Sequence, residues 1–153
     1  MFKRLLIANR GEIALRVARA CRELDIDPVM VYSEADRDAL HVQLAAHAYC
    51  IGPAPAQQSY LNGDAILTVA KAAGCDAIHP GYGFLSENAA FAQECVDEGI
   101  AYVGPAAQVI ATMGNKAAAR EMMKRAGVPV VPGSDGSVAN ASEGARIAKE
   151  IGY

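Results

Sequence analysis

Ten residues in the middle of the chain, His79-Pro80-Gly81-Tyr82-Gly83-Phe84-Leu85-Ser86-Glu87-Asn88, combine imidazole, phenol, hydroxyl and carboxylate groups with two glycines. Glycines let a ligand approach the backbone closely, and a tyrosine offers a flat face and a hydroxyl, so Gly81 to Gly83 reads as a ligand-contacting stretch. Ser86 suits the N-cap of a following helix, and Glu87 suits its first turn. His79 fits a structural hydrogen-bonding role as well as a site role, because no second metal ligand stands near it. Lys116 follows Gly114-Asn115 and opens a helical stretch, where the helix dipole disfavours a cation. A phosphate is the natural partner for it, with an isolated surface lysine as the alternative. Lys124 and Arg125 suit the end of that helix and need no functional account. Arg16, Arg19 and Glu23 fall three and four residues apart and form one charged stripe on a helix, facing solvent or a partner surface.

The elements that must carry these groups alternate along the chain. Phe2 to Ala8 is a short apolar run, and a helical pattern from Gly11 follows, with Ile13, Ala14, Val17, Ala18, Cys21 and Leu24 on one side. Strands are expected at Pro28 to Tyr32, Ala48 to Ile51, Cys75 to Ile78 and Ile100 to Val103. Helices are expected at Asp38 to Ala46, Gly63 to Ala73 and Glu87 to Glu98. Such alternation predicts an α/β fold, a parallel sheet with helices on both faces, whose ligands gather beyond the carboxyl ends of the strands. After Pro105 the rhythm changes to helices at Ala106 to Met113 and Lys116 to Ala126, then an extended segment, Val128 to Ser134, in which Pro129 and Pro132 forbid a helix. A last helix spans Ser142 to Ile151 with Ser142 as its N-cap, and no strand follows it.

Composition narrows the function classes. The 153 residues are 52% hydrophobic and 20% charged, the profile of a globular domain rather than a disordered one. The formal net charge of -3 and the lack of any Lys/Arg run argue against nucleic-acid or membrane-surface binding. Only four apolar residues, Leu5 to Ala8, follow the N-terminal Met1-Phe2-Lys3-Arg4, so neither a signal core nor a membrane span is expected, and the cytoplasm is the expected compartment. Cys21, Cys50, Cys75 and Cys95 have no metal-site or redox spacing and are expected to be four buried, reduced thiols. A single glycine, Gly11, follows the first strand where a dinucleotide fingerprint needs three, so it reads as a tight strand-to-helix turn.

Seven blocks together resemble biotin carboxylases. They are Ile7-Ala8-Asn9-Arg10-Gly11-Glu12-Ile13-Ala14, Ser33-Glu34-Ala35-Asp36-Arg37-Asp38, Cys50-Ile51-Gly52-Pro53, Ser59-Tyr60-Leu61, His79 to Asn88, Met113-Gly114-Asn115-Lys116, and Gly127-Val128-Pro129 with Val131-Pro132-Gly133-Ser134. Asn115 stands where the family often has Asp. The resemblance implies a Rossmann-like N-terminal domain over residues 1–113 and the beginning of an ATP-grasp lobe over 114–153. It implies that Lys116 helps hold ATP, that Tyr82 and Gly83 lie against biotin, with Glu87 a weaker candidate beside them, and that Arg16, Arg19 and Glu23 belong to a dimer surface. ATP, Mg2+ and biotin are the implied cofactors, and a biotin carboxyl carrier protein, a carboxyltransferase component and a second copy the implied partners. The implied reaction phosphorylates bicarbonate with ATP and carboxylates a ureido nitrogen of biotin. In the family the phosphate flap, the metal ligands and the bicarbonate-orienting groups lie beyond the position of Tyr153. The resemblance therefore places no catalytic residue and no metal ligand in this chain, and turnover by the chain alone is not expected. Two other readings stand beside it: a different ATP-grasp ligase, disfavoured by the His79 to Asn88 loop, and a non-catalytic dimerisation or binding module.

Overall fold

The structure, a computed structural model, describes residues 1–134 and 136–152. They form two compact units, Met1–Ala107 and the stretch from Gln108 onward.

The first unit is built on five parallel strands: β1 (Arg4–Ile7), β2 (Asp27–Ser33), β3 (His47–Gly52), β4 (Ala77–His79) and β5 (Ala101–Tyr102). Their spatial order is β3-β2-β1-β4-β5. The chain thus runs outward from β1 to β3, crosses back, and continues outward on the other side from β4. A crevice opens where the direction reverses, at the carboxyl ends of β1 and β4, because the loops leaving these two strands diverge to opposite faces of the sheet.

Period-two alternation divides the core between those faces. Leu6, Ala8, Val29, Val31 and Ile78 pack under α3 (Gly63–Ala72) and α4 (Ala89–Asp97), which contribute Ile66, Leu67, Ala70, Phe91 and Cys95. Leu5, Ile7, Met30 and Ala77 face the other way, under Ile13, Ala14, Val17, Ala18 and Cys21 of α1 (Gly11–Glu23). The expected fold class, a parallel sheet covered on both faces, is the observed one. Leu6 and Ile7 are wholly inaccessible, so each contributes about 1.5–3 kcal/mol by leaving water.

Several local expectations are corrected. The helix expected over Asp38 to Ala46 is a single turn, α2 (Leu40–Gln43). The connection after β2 first makes a 3-10 turn at Glu34–Asp36, and Asp36 is tied back to Ser33 and Tyr60, so the helical stretch starts late and is short. Leu24 lies past the end of α1 and is exposed. Cys21, Cys75 and Cys95 are buried as free thiols, and burial pushes Cys75 and Cys95 up to about 11, but Cys50 is exposed on β3 at the sheet edge. The N-cap of α4 is Asn88, whose Oδ1 accepts from the Phe91 N–H at 3.0 Å, rather than Ser86.

The second unit contains most of α5 (Ala107–Gly114), then α6 (Lys116–Arg125) and α7 (Ala141–Ile151). Asn140, not Ser142, caps α7: its Oδ1 accepts from the Glu143 N–H at 2.9 Å, and Glu143 Oε2 accepts from the Ala139 N–H at 2.9 Å. The reciprocal pair satisfies two otherwise orphaned donors, and Ser142 falls inside the first turn. Asn115 caps α6 through the Ala118 N–H at 3.1 Å, so its carboxamide supplies the same acceptor an aspartate would.

His41 on α2 is 1% exposed, and among the described residues neither ring nitrogen makes a hydrogen bond of good geometry, the Val31 backbone being the polar group closest to offering one. Burial holds its pKa below the usual histidine value, the Arg10 charge adds to that, and the Val31 backbone and Asp36 charge oppose without reversing it. His79 is lowered too, by burial and then by Arg16. A histidine that is harder to protonate when folded lets the unfolded chain bind more protons, so stability falls as pH drops from the ordinary histidine value toward the folded one. Each such group contributes a slope of up to about 1.4 kcal/mol per pH unit in that window. Urea titrations between pH 7.5 and 5.5 are expected to show falling stability, with a shallower slope in His41→Met. An unchanged slope in that variant would mean that His41 is not the group titrating.

Candidate functional site

Two loops meet at the crevice between β1 and β4. Ala8 is the last buried apolar position leaving β1, and the next residue, Asn9, is 3% exposed although polar. Its Nδ2 donates to the Pro80 carbonyl at 2.7 Å and to the Tyr82 carbonyl at 2.8 Å, while its Oδ1 accepts from the Arg10 N–H at 2.9 Å. One carboxamide therefore ties the β1–α1 loop to the β4–α4 loop and satisfies both of its own donors. Gly81 makes that approach possible. Its φ is +67°, and a Cβ there would lie 2.6 Å from Asn9 Nδ2.

Beyond this tie the β4–α4 loop turns through left-handed backbone at Gly83 (φ +66°) and Phe84 (φ +40°). A glycine adopts it freely. At Phe84 it costs about 1–2 kcal/mol and persists because the surroundings hold it. The Phe84 ring stacks on Tyr60, centroids 5.0 Å apart, and the Tyr102 hydroxyl donates to the Ser86 carbonyl at 2.9 Å. His79 Nδ1 accepts from the Gly81 N–H at 2.9 Å, which gives the histidine a structural task at the head of the loop.

Behind the loop lies a polar cluster. The Tyr60 hydroxyl accepts from the Ser33 N–H at 3.0 Å and donates to Asp36 Oδ2 at 2.8 Å, and Ser33 Oγ donates to the same carboxylate oxygen at 3.0 Å. Arg10 pairs with Asp36 at 3.2 Å and lies over the Tyr60 ring, 5.9 Å from its centroid. Burial pushes the Asp36 carboxyl up, but the two hydroxyls and Arg10 outweigh it and leave it below the usual range. The acceptor of both hydroxyls is thus charged at neutral pH.

The resulting cleft, about 380 Å³, is lined by Asn9, Arg10, Gly11, Glu12, Ile13, Tyr82, Gly83 and Phe84. Tyr82 is more than half exposed, its hydroxyl donating to Glu12 Oε1 at 2.9 Å, and the Arg16 guanidinium carbon lies 6.0 Å from its ring centroid. The Glu12 carboxylate raises the Tyr82 phenol, so it stays a hydrogen-bond donor at neutral pH. An aromatic face, a bare glycine backbone and a few polar groups suit a flat, neutral heterocycle with amide-like edges. A second cleft of about 340 Å³ lies at the N-termini of α3 and α4, but Asp64 and Glu94 line it and oppose an anion there.

In the second unit, Lys116 sits at the start of α6 and is exposed, with no hydrogen bond or ion pair among the described residues. It lines a cleft of about 350 Å³ with Arg120, Pro132, Gly133 and Ser134. Arg120, one turn along the helix, donates to the carbonyls of Val131 at 3.1 Å, Gly133 at 3.3 Å and Ser134, fixing the proline-flanked segment against α6. Among the described residues, Lys116 faces that cleft without an ion-pair partner.

Residues 1–110 match the family described as "Biotin carboxylase, N-terminal domain". The chain belongs to this family. Across its whole length it is 61% identical to biotin carboxylase 1 of Bacillus subtilis, of which it covers 34%. The structure of a biotin carboxylase from Campylobacter jejuni in complex with a β-γ-ATP ligand matches over the whole chain with a TM-score of 0.95 and 50% identity, again over 34% of that protein. The biotin carboxylase domain dimer of the Hydrogenobacter thermophilus 2-oxoglutarate carboxylase, solved with MgADP, ADP and bicarbonate, matches with a TM-score of 0.93 at 55% identity over 34% of its chain. The chain therefore spans about a third of the length of the relatives it matches.

Set in this biotin carboxylase N-terminal domain, Tyr82 and Gly83 share one cleft wall, whereas Glu87 is exposed just before the α4 cap and is not among the residues lining that cleft. Arg16, Arg19 and Glu23 are all exposed on α1, and Arg16 also reaches Tyr82, so the stripe and the cleft meet at one residue. Sequence reasoning missed Asn9, Arg10, Asp36, Tyr60 and Phe84 as site-building residues. For Asn9 a signal was present: a polar residue directly after a fully apolar strand, at the sheet end where ligands bind.

Proposed function

We propose that this chain forms the N-terminal third of an ATP-dependent biotin carboxylase, in which ATP phosphorylates bicarbonate and the activated carboxyl group passes to a ureido nitrogen of biotin. The observation that carries this reading is the crevice between β1 and β4, where the Tyr82 face and the Gly83 backbone form a wall suited to a ureido ring. Lys116 is the candidate for the nucleotide phosphates, as an exposed cation on a cleft at the start of α6. Glu87 is a weaker biotin-side candidate. Residues 1–113 act as the Rossmann-like domain and 114–153 as the opening of the ATP-grasp lobe. Magnesium between the phosphates needs clustered carboxylate or similar ligands. The described residues contain no group of three or more His, Cys, Asp or Glu able to hold a metal, so none is assigned to that ion.

The partners in this reading are a biotin carboxyl carrier protein, a carboxyltransferase component, and a second copy docked on the α1 stripe of Arg16, Arg19 and Glu23. A cytoplasmic site of action belongs to the same proposal; no helix among the described residues is long and apolar enough to cross a membrane.

Bicarbonate-dependent ADP release, measured with and without free biotin, tests the assignment. The complete enzyme is expected to release ADP faster when biotin is added, and the 153-residue chain alone to release none. In the complete enzyme Lys116→Ala is expected to raise the KM for ATP roughly tenfold, the loss of one charge-assisted phosphate contact. A complete enzyme indifferent to both bicarbonate and biotin would overturn the reading, and an unchanged KM would remove Lys116 from it.

A further inference from the structure

Tyr60 is 2% exposed and is not among the residues lining the cleft, yet it touches two that are. Its ring stacks on Phe84 at an interplanar angle of 19°, and the Arg10 guanidinium lies over the same ring. The far end of the ring is fixed independently, because the hydroxyl is held between the Ser33 N–H at the end of β2 and the Asp36 carboxylate. The ring thus runs as a strut from the carboxyl end of β2 to the β4–α4 loop.

The loop has need of such a strut. Gly83 and Phe84 are consecutive left-handed residues, and no strand ladder fixes them. Asn9 holds the loop only as far as the Tyr82 carbonyl, and Tyr102 resumes the hold at Leu85 and Ser86. Between these two anchors the Gly83 carbonyl accepts from the Ser86 N–H at 2.9 Å and closes the turn, while the stack on Tyr60 holds the Phe84 side chain in the orientation that turn requires, at a φ an aromatic residue disfavours. Release of Phe84 would let its φ return to negative values and rotate the adjoining Gly83 peptide, which forms the cleft wall.

We infer that Tyr60 is a positioning residue for the biotin side of the site, acting through Phe84 to set the Gly83 backbone and the Tyr82 ring. The inference rests on the assignment of the Tyr82–Gly83 cleft to biotin. It separates the two halves of the reaction: Tyr60 lies in the first unit and Lys116 in the second, so loss of the strut should weaken biotin without weakening ATP.

The test is steady-state kinetics of the complete enzyme with free biotin and with ATP varied in turn. Tyr60→Leu is expected to raise the KM for biotin about tenfold while the KM for ATP stays within about twofold, since small misplacements of a positioning wall cost rate and binding steeply. Tyr60→Phe keeps the ring stack and is expected to restore most of the biotin KM. Equal rises in both KM values, or no rise for biotin, would overturn the inference. Should Tyr60→Leu fail to fold, Tyr60→Met, which fills more of the ring's volume while removing the stack on Phe84, makes the same comparison, and the same split is required of it. Tyr82→Ala separates the two levels of the argument. If it leaves the biotin KM unchanged, the biotin assignment of the cleft fails and the role of Tyr60 with it; if it raises that KM and Tyr60→Leu does not, only the positioning role fails.

Discussion

Asn9→Ala is expected to lower the unfolding free energy by about 2–4 kcal/mol, the cost of leaving two carbonyls of the β4–α4 loop without their donor. The Pro80 and Tyr82 carbonyls both accept from Asn9 Nδ2, at 2.7 and 2.8 Å, and Pro80 is buried. Tyr82 is exposed, so water can reach its carbonyl and part of the loss is recovered there. The Pro80 carbonyl has less access to water and carries most of the effect. Asn9→Asp is a sharper test of the same geometry. It keeps the Oδ1 acceptor for the Arg10 N–H but turns a second oxygen toward two carbonyl oxygens, so it should cost at least as much as alanine despite its nearly identical shape. Urea unfolding followed by circular dichroism measures both, with the slope against denaturant expected to hold constant. An Asn9→Asp variant as stable as the parent would show that the carboxamide nitrogen is not what joins the loops.

The position of Asn9 also shows why some of this site was legible in the sequence and some was not. Tyr82 and Gly83 stand in one local cluster whose residue types have no packing purpose, and composition alone exposes such a cluster. Asn9 and the carbonyls it binds are more than 70 residues apart, and Tyr60 meets Asp36 and Phe84 across 24 residues in either direction. Contacts of that kind depend on strand order, which places β1 beside β4 and is not written in any local window. The parallel sheet itself was legible because each strand is a short apolar run followed by an amphipathic helix, and the face of α1 buries the predicted Ile13, Ala14, Val17, Ala18 and Cys21. Cap identities were less so. Ser86, Asn88, Asn140 and Ser142 are all good capping residues, and the choice among them is made by where the preceding turn points the first free N–H groups, a property of the folded chain. Cys50 was misplaced for a related reason: an apolar residue in a strand is expected to be buried, but β3 lies at the sheet edge.

The same contact between loops yields a second large effect, and one whose size depends on Asn9. Gly81→Ala adds a methyl group whose carbon would stand 2.6 Å from Asn9 Nδ2 and 3.0 Å from both its Cβ and Cγ, at a backbone φ of +67°. The left-handed backbone costs a residue with a Cβ about 1–2 kcal/mol, and overpacking adds about 1–3 kcal/mol, so Gly81→Ala is expected to destabilise by about 2–5 kcal/mol. The two parts respond differently to a change at position 9. In an Asn9→Ala background Nδ2 and Cγ are gone, leaving a single close approach to Cβ, whereas the backbone cost is untouched. Adding Gly81→Ala to Asn9→Ala should therefore cost only about 1–2 kcal/mol more, well below the sum of the single variants. Gly83→Ala is the control, because its φ is +66° and a Cβ there meets nothing within 4 Å, so it should show the backbone cost alone in either background. Strict additivity of Asn9→Ala and Gly81→Ala in urea titrations would place the strain of Gly81→Ala in the backbone and not in the side chain that joins the loops. A double variant no worse than Asn9→Ala plus the Gly83→Ala increment would assign the remainder to the Asn9 carboxamide, and with it the requirement for glycine at the point where the two loops touch.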